Sequence, residues 1–292
     1  MSKIKICTDS ASDVSVELAN ELGIDLLCFP ITVGDKGYRE HVDFTTKEFY
    51  EILENAQDLP HTSQVTVMDY TEVYEKNYEK GYTDLIVVTI ASIGSNSNNN
   101  ANMARTAFYE EHPEAEGKYN IVVIDSKSYT GGYGLPVIEA ARKVQKGAEA
   151  DEIIAFLNDW FESVFVYCTA FTLKYAKKSG RVNCVAAFVG EVLGLRPIIR
   201  FTDAVSETLD KVRGDKAVCP KMVDLACDAM VPQTQYAVLV GSNEELAEEV
   251  AELMTKKVGY GPTEYIQVGA TIACHLGHDV SGIIVKGPNR GK

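Results

Sequence analysis

Residues 85–97 read Leu85-Ile86-Val87-Val88-Thr89-Ile90-Ala91-Ser92-Ile93-Gly94-Ser95-Asn96-Ser97, an apolar run that gives way abruptly to small polar residues. Consecutive apolar residues with no polar alternate are what a strand covered on both faces looks like, as inside a parallel sheet. The pattern recurs at Ile121-Val122-Val123-Ile124, which leads into Asp125-Ser126-Lys127-Ser128 and then Gly131-Gly132-Tyr133-Gly134. A helix-length segment separates the two runs. In open α/β sheets ligands bind where strands end and loops begin, so these two loops are the first candidates for a site.

Upstream, Lys3 to Cys7 alternates about Ile4 and Ile6, and Thr8-Asp9-Ser10 turns the chain. Ser12 is placed to cap a helix through Leu22, with Gly23 to stop it. Residues 25–33 read as a second strand and 34–37 as a turn. Thr45 and Glu48 have capping-box spacing for a helix through Asn55. A loop at 60–64 precedes a helix ending at Gly81. Downstream the character changes from Asp151: a helix over 151–163, a strand over 164–169, then the basic stretch Lys174-Tyr175-Ala176-Lys177-Lys178-Ser179-Gly180-Arg181. Further strands are expected at 196–201, 236–241, 265–274 and 283–285, with helices at 216–230 and 243–257. The expectation is an α/β protein of two domains. Residues 1–160 form an N-terminal domain with a mostly parallel sheet flanked by helices, 161–286 form an α+β domain, and 287–292 trail as a disordered tail.

The 292 residues are 46% hydrophobic and 24% charged, enough to bury a sizeable core. A net charge of −14 argues against nucleic acid and anionic membrane surfaces as partners, so an acidic ligand must find positive groups locally. The seven cysteines are scattered, without C-x-x-C spacing, and several sit in apolar runs, which fits free thiols in a reducing cytoplasm. No secretory signal and no apolar run of about 20 residues is visible, so stable membrane insertion is not expected.

Catalytic and nucleotide signatures are missing. There is no G-x-S-x-G and no H-E-x-x-H, Ile283 stands where a Walker loop would place lysine, and Gly132-Tyr133-Gly134 lacks the third glycine of a dinucleotide fingerprint. Neither a catalytic residue, a cofactor nor a metal is expected. At Gly94-Ser95-Asn96-Ser97 two readings stay open. Small residues between a strand and a helix beginning near Asn98 or Asn99 can converge donors on an anion, or Ser95 and Ser97 can simply cap the helix. His275 closes the strand-like run 268–274. Its H-x-x-H spacing with His278 invites a metal, but no acidic or thiol partner accompanies it, and a structural histidine is the simpler reading. Lys177, Lys178 and Arg181 are a local positive cluster in an acidic chain, a candidate docking surface.

Taken in order, these segments resemble the DegV family from about Lys3 to Val285. Thr8-Asp9-Ser10-Ala11-Ser12-Asp13 is similar to the opening TDS-x-SD motif, and Thr62-Ser63-Gln64 to the TSQ loop, with Val65 in place of proline. Residues 92–104 resemble the SSGLSGTYQSA-type loop, with Ser95 on the serine before glycine. Asp125-Ser126-Lys127-Ser128 resembles the DS-x-S strand end, 173–182 the LKKGGRI segment, 195–199 the L-x-x-KPI segment, and His275-Leu276-Gly277 the start of HTGPG. Asn96 replaces glycine, Ser97 replaces threonine, and His278-Asp279 replaces Pro-Gly; Asn96 is expected to take a positive φ in glycine's place. The resemblance implies two α/β-type domains enclosing a long-chain fatty acid such as palmitate in an apolar tunnel. It implies that Thr62, Ser95, the Asn96 amide and His275 surround the carboxylate. It also implies a non-catalytic, acyl-binding role in fatty acid metabolism, as in the subunit that presents a bound acid to an ATP-dependent fatty acid kinase. The alternatives are a free-standing transferase using Asp9 and Ser95, and a regulatory protein in which lipid is structural.

Overall fold

The computed structural model describes residues 2–185 and 194–291. The chain opens with β1 (Ile4–Asp9), a 3₁₀ turn at Ser10–Ser12 and helix α1 (Val16–Leu22). Ser15 caps this helix, not Ser12, because Asp13 first turns the chain through a left-handed conformation (φ 57°). Gly23 ends it as expected, at φ 69°. The single strand expected over 25–33 is two, β2 (Asp25–Leu27) and β3 (Pro30–Val33), in different sheets. Pro30, with no N–H to continue a ladder, starts the second. There follow β4 (Lys36–Arg39), α2 (Thr46–Asn55) with its Thr45/Glu48 capping box, β5 (His61–Thr62), α3 (Val67–Glu79), β6 (Asp84–Thr89), α4 (Ser97–Glu111), β7 (Asn120–Asp125), α5 (Gly131–Gln145) and α6 (Ala150–Phe161).

Strands β2-β1-β6-β7 form a parallel sheet. Every residue of β6 is buried, which is why its sequence lacks polar alternation. Strands β4-β3-β5 form a small antiparallel sheet that sets Thr62 opposite Ile31. Gly134, in α5, passes so close to β1's exit that a Cβ there would lie 2.1 Å from the Ser12 carbonyl oxygen.

The second half contributes β8 (Val164–Ala170), α7 (Lys174–Ser179), β9 (Leu195–Thr202), β10 (Val205–Arg213), α8 (Val218–Ala229), β11 (Tyr236–Val240), α9 (Glu244–Val258), β12 (Glu264–Gln267), α10 (Ala270–Leu276) and β13 (Val280–Lys286). They build a six-stranded sheet, β10-β9-β8-β13-β11-β12, antiparallel except for β11 and β12. The mixed α/β class is the expected one. β10 escaped the sequence reading because it is an edge strand with no fully buried residue, so no apolar run marks it. The strand expected over 265–274 is a correction: it splits into β12 and the short helix α10, all of whose residues but His275 are buried. A segment apolar on every side carries no periodicity to separate helix from strand.

One apolar cluster runs from Ile6 and Val87 through Leu135 to Val166 and Leu239, so the two larger sheets share a core. Of the segment expected as a disordered tail, Gly287 and Arg290 are instead held through hydrogen bonds. The Gly287 amide donates to the Ser163 carbonyl at 2.8 Å, and the Arg290 guanidinium to the carbonyls of Phe161 and Val164. A cation at the last residue of α6 answers that helix's unpaired carbonyls.

Candidate ligand-binding site

A cavity of about 260 Å³ takes its walls from both halves of the chain. Its lining changes in character along its length. Phe29, Ile90, Val166, Cys168, Val182, Phe201, Leu239, Val268, Ile272 and Leu276 are buried and, the Cys168 thiol aside, apolar, with the buried Thr130 and Thr271 among them; Gln64, Asn96 and Arg181 are exposed, and Thr62, Gly94, Ser95, Tyr129 and His275 lie between. The cavity is thus an apolar body with a polar, solvent-facing end. That is the shape demanded by a ligand with a long hydrocarbon part and one polar head.

Ser95, Asn96 and Gly94 arrive on the loop between β6 and α4. The helix begins at Ser97, one to two residues earlier than expected. Asn96 has φ −78°, so the expected positive φ is not found and asparagine sits there without strain. Its backbone amide has no hydrogen-bond partner among the described residues. Gly94 is needed for another reason: a Cβ there would fall 2.7 Å from the Tyr129 ring, another part of the lining.

Ser95 Oγ lies 3.0 Å from Ser97 Oγ and accepts from the Ser97 amide at 3.3 Å. Ser97 Oγ in turn accepts from the Val65 amide at 3.2 Å. With Ser97 donating its hydroxyl proton to Ser95, the Ser95 proton is left for a ligand, at the end of a polarised chain of donors. Helix capping and anion binding, the two readings open from sequence, therefore do not compete: the contact to the Ser97 amide uses a lone pair and leaves the Ser95 proton unspent.

Thr62 is presented by β5 and His275 by the end of α10. Thr62 Oγ1 and His275 Nε2 are 2.9 Å apart, and His275 Nδ1 is buried without a partner. Burial, then the charge of Arg181, then His61, pushes the imidazole pKa down to about 4, so it is neutral at pH 7. An unpartnered lone pair is cheaper to bury than an unpartnered N–H, which places the proton on Nε2. That N–H donates to Thr62 and leaves the threonine proton free. His278 takes no part: Nδ1 meets Ser242 Oγ at 3.0 Å and Nε2 meets Glu54 at 3.3 Å.

Arg181 joins the lining, whereas Lys177 and Lys178 of the same basic stretch do not. Its Nε donates to the Gly94 carbonyl at 3.2 Å, and it makes no ion pair among the described residues. Sequence reasoning had marked the cluster for docking and missed that its last member turns a cation toward the polar end. Gln64, also missed, adds a side-chain amide there. The Asp9 invoked for a transferase is not in the lining; its carboxylate is buried under Tyr133 and the Ile90 amide. Among the described residues the one metal-like grouping is Glu75, Glu111 and His112, with ligand atoms within 4.8 Å of one another. His112 there is already hydrogen-bonded to Glu75 and Glu114. No helix among the described residues is long and apolar enough to cross a membrane.

The model of the DegV family, described as an uncharacterised protein, matches residues 3–287. A DegV domain-containing protein of Clostridium acetobutylicum is 31% identical over 229 residues, 78% of this chain and 78% of that protein. Among solved structures, a stearic acid-binding protein from Eubacterium ventriosum superposes with a TM-score of 0.87 at 24% identity, over 100% of both chains. DegV from Bacillus subtilis, a fatty acid binding protein, superposes with a TM-score of 0.80 at 25% identity, covering 97% of this chain and 99% of that one.

Proposed function

As this chain belongs to the DegV family, we propose that it binds a long-chain fatty acid with the tail in the apolar body of the cavity and the carboxylate at its polar end. The observation that carries this is the division of one cavity into a buried apolar wall and a solvent-facing group of unspent donors. Thr62, Ser95, the Asn96 amide and Arg181 hold the carboxylate, and His275 orients Thr62. A long tail contributes roughly 10 kcal/mol at about 0.8 kcal/mol per methylene, before ordering costs. Hydrogen bonds to the charged head add about 1.5–3 kcal/mol each.

The same geometry favours binding over turnover. Ser95 is bonded to another serine rather than to a base, and burial pushes the Cys168 thiol far above the range where a thiolate forms. Lys177 and Lys178, exposed or half-buried on the helix that leads to Arg181, support a docking surface beside the polar end. A kinase subunit that phosphorylates the presented carboxylate is the partner that such a surface and such a ligand suit. The seven free cysteines suit a reducing cytoplasm.

The test is mass spectrometry of lipid extracted from natively purified protein, with thermal melting of delipidated and reloaded samples. One fatty acid per chain, and a melting temperature restored by adding it, is the expected result. Absence of lipid together with no thermal shift overturns the reading.

A further inference from the structure

The opening motif at Thr8–Asp13 supplies nothing to the polar end of the cavity, yet its Ser10 leads to a carboxylate that does concern the ligand. Glu40 is 1% exposed. Its Oε2 accepts from Ser10 Oγ at 2.6 Å and from Thr271 Oγ1 at 2.6 Å, and its Oε1 accepts from the Thr271 amide at 3.0 Å. Ser10 Oγ itself accepts from the Phe29 amide at 2.9 Å. Glu40 is outside the cavity lining, whereas Thr271 is part of it. A hydroxyl has one proton, and that of Thr271 is directed away from the cavity. The neighbouring wall hydroxyls are engaged as well: Thr130 Oγ1 with Asp13 at 2.5 Å, and Tyr129 with the Ala204 carbonyl at 3.2 Å. The hydroxyl protons of these three wall residues are thus spent within the protein, whereas the polar end keeps donors for a ligand, the Ser95 proton and the Asn96 amide among them.

We infer that Glu40 is a specificity-determining residue of the acyl cavity, which by holding the Thr271 hydroxyl proton leaves the wall around Thr271 with no hydroxyl donor for a polar group on the chain. The inference rests on the fatty-acid reading above. A buried acceptor without a donor is costly, so the cavity takes an unsubstituted chain and rejects one carrying a ketone at the depth of Thr271. Exchange of Glu40 for glutamine reverses this at the cost of one acceptor, the one that now takes the Ser10 proton. The amide oxygen keeps the Thr271 N–H, and the two amide protons fall on Ser10 Oγ and Thr271 Oγ1. Thr271 then becomes an acceptor toward residue 40, and its own proton is free to turn into the cavity.

The experiment measures dissociation constants of stearic acid and of a series of oxo-stearic acids, with the ketone at successive positions, for the full-length protein and its variants. The unsubstituted acid binds the native protein about 10-fold or more tighter than the oxo acids whose ketone lies in the buried part of the cavity. In Glu40→Gln that gap narrows about 10-fold for the isomers whose ketone reaches Thr271, and Glu40→Gln/Thr271→Val restores it. A gap unchanged in Glu40→Gln, or narrowed equally for all positions, overturns the inference. Should Glu40→Gln not fold, Thr271→Val alone decides. Loss of a hydroxyl already turned away leaves the oxo-to-plain ratio within about twofold, and a wider gap overturns the inference. Failure of the native protein to bind stearic acid at all would instead remove the fatty-acid reading itself.

Discussion

The imidazole of His275 meets the hydroxyl of Thr62 across 213 residues of chain, Nε2 to Oγ1 at 2.9 Å, with Nδ1 facing no partner. The pair joins the edge of the small antiparallel sheet to the end of α10 and, with Nε2–H donating, leaves the threonine proton unspent. A neutral imidazole suits this task, since both nitrogens of a charged ring would need acceptors and only one is present.

This pair makes stability depend on pH in a defined window. The folded pKa of His275, about 4, is below its ordinary value near 6.5, so its contribution is complete above pH 6.5 and is lost as pH falls toward 4. Asp9 acts in the opposite sense: burial raises it from 3.8 to about 7, so its contribution is lost as pH rises through that interval. The two oppose each other between pH 4 and 6.5. His275→Asn should therefore gain on the native protein by on the order of 3 kcal/mol between pH 7 and pH 4, in urea unfolding. A difference that does not change with pH would show that the imidazole is not buried neutral.

Ser95→Ala separates the two uses of one oxygen. Loss of a donor to the carboxylate lowers fatty acid affinity about 10- to 150-fold. Loss of the acceptor for the Ser97 amide costs about 1 kcal/mol of stability. Both should appear in the same variant, by calorimetry and by chemical unfolding. Lost stability with an unchanged dissociation constant would leave Ser95 as a cap and nothing more.

Arg181 and Lys178 should part company despite lying three residues apart. Arg181→Gln weakens carboxylate binding about 10-fold and flattens its salt dependence, because a cation lining the cavity is removed. Lys178→Glu leaves the dissociation constant within about twofold and slows acyl phosphate formation by a kinase subunit, since rim charges act on association. Equal loss of binding in both variants would contradict the assignment.

Gly134→Ala tests how α5 passes β1. Alanine is the better helix former, yet its methyl would sit 2.1 Å from the Ser12 carbonyl oxygen. Backbone must shift to admit it, at a cost of about 1–3 kcal/mol, opposite in sign to helix propensity. An unchanged or raised melting temperature would show that the approach is looser than described.

What the sequence alone determined is what burial and local geometry write into neighbouring residues. Leu85–Val88 announces a strand covered on both faces because every residue of β6 is in fact buried. Thr45 and Glu48 announce a helix start because each satisfies the other's backbone amide three residues away. Motif order carried the family and marked Thr62, Ser95 and His275, though not what each touches. Tertiary structure decided the rest. It made α10 a helix, since a segment apolar all round has no period, and it set Ser15 rather than Ser12 at the start of α1. It turned Arg181 from the surface of a basic stretch into the wall of a cavity. Glu40 is the extreme case: between Arg39 and His41 it looks like any surface glutamate, and its role depends on Ser10 and Thr271, 30 and 231 residues distant. Hydrogen bonds between such remote groups obey no local spacing, so only the folded chain brings their donors and acceptors together.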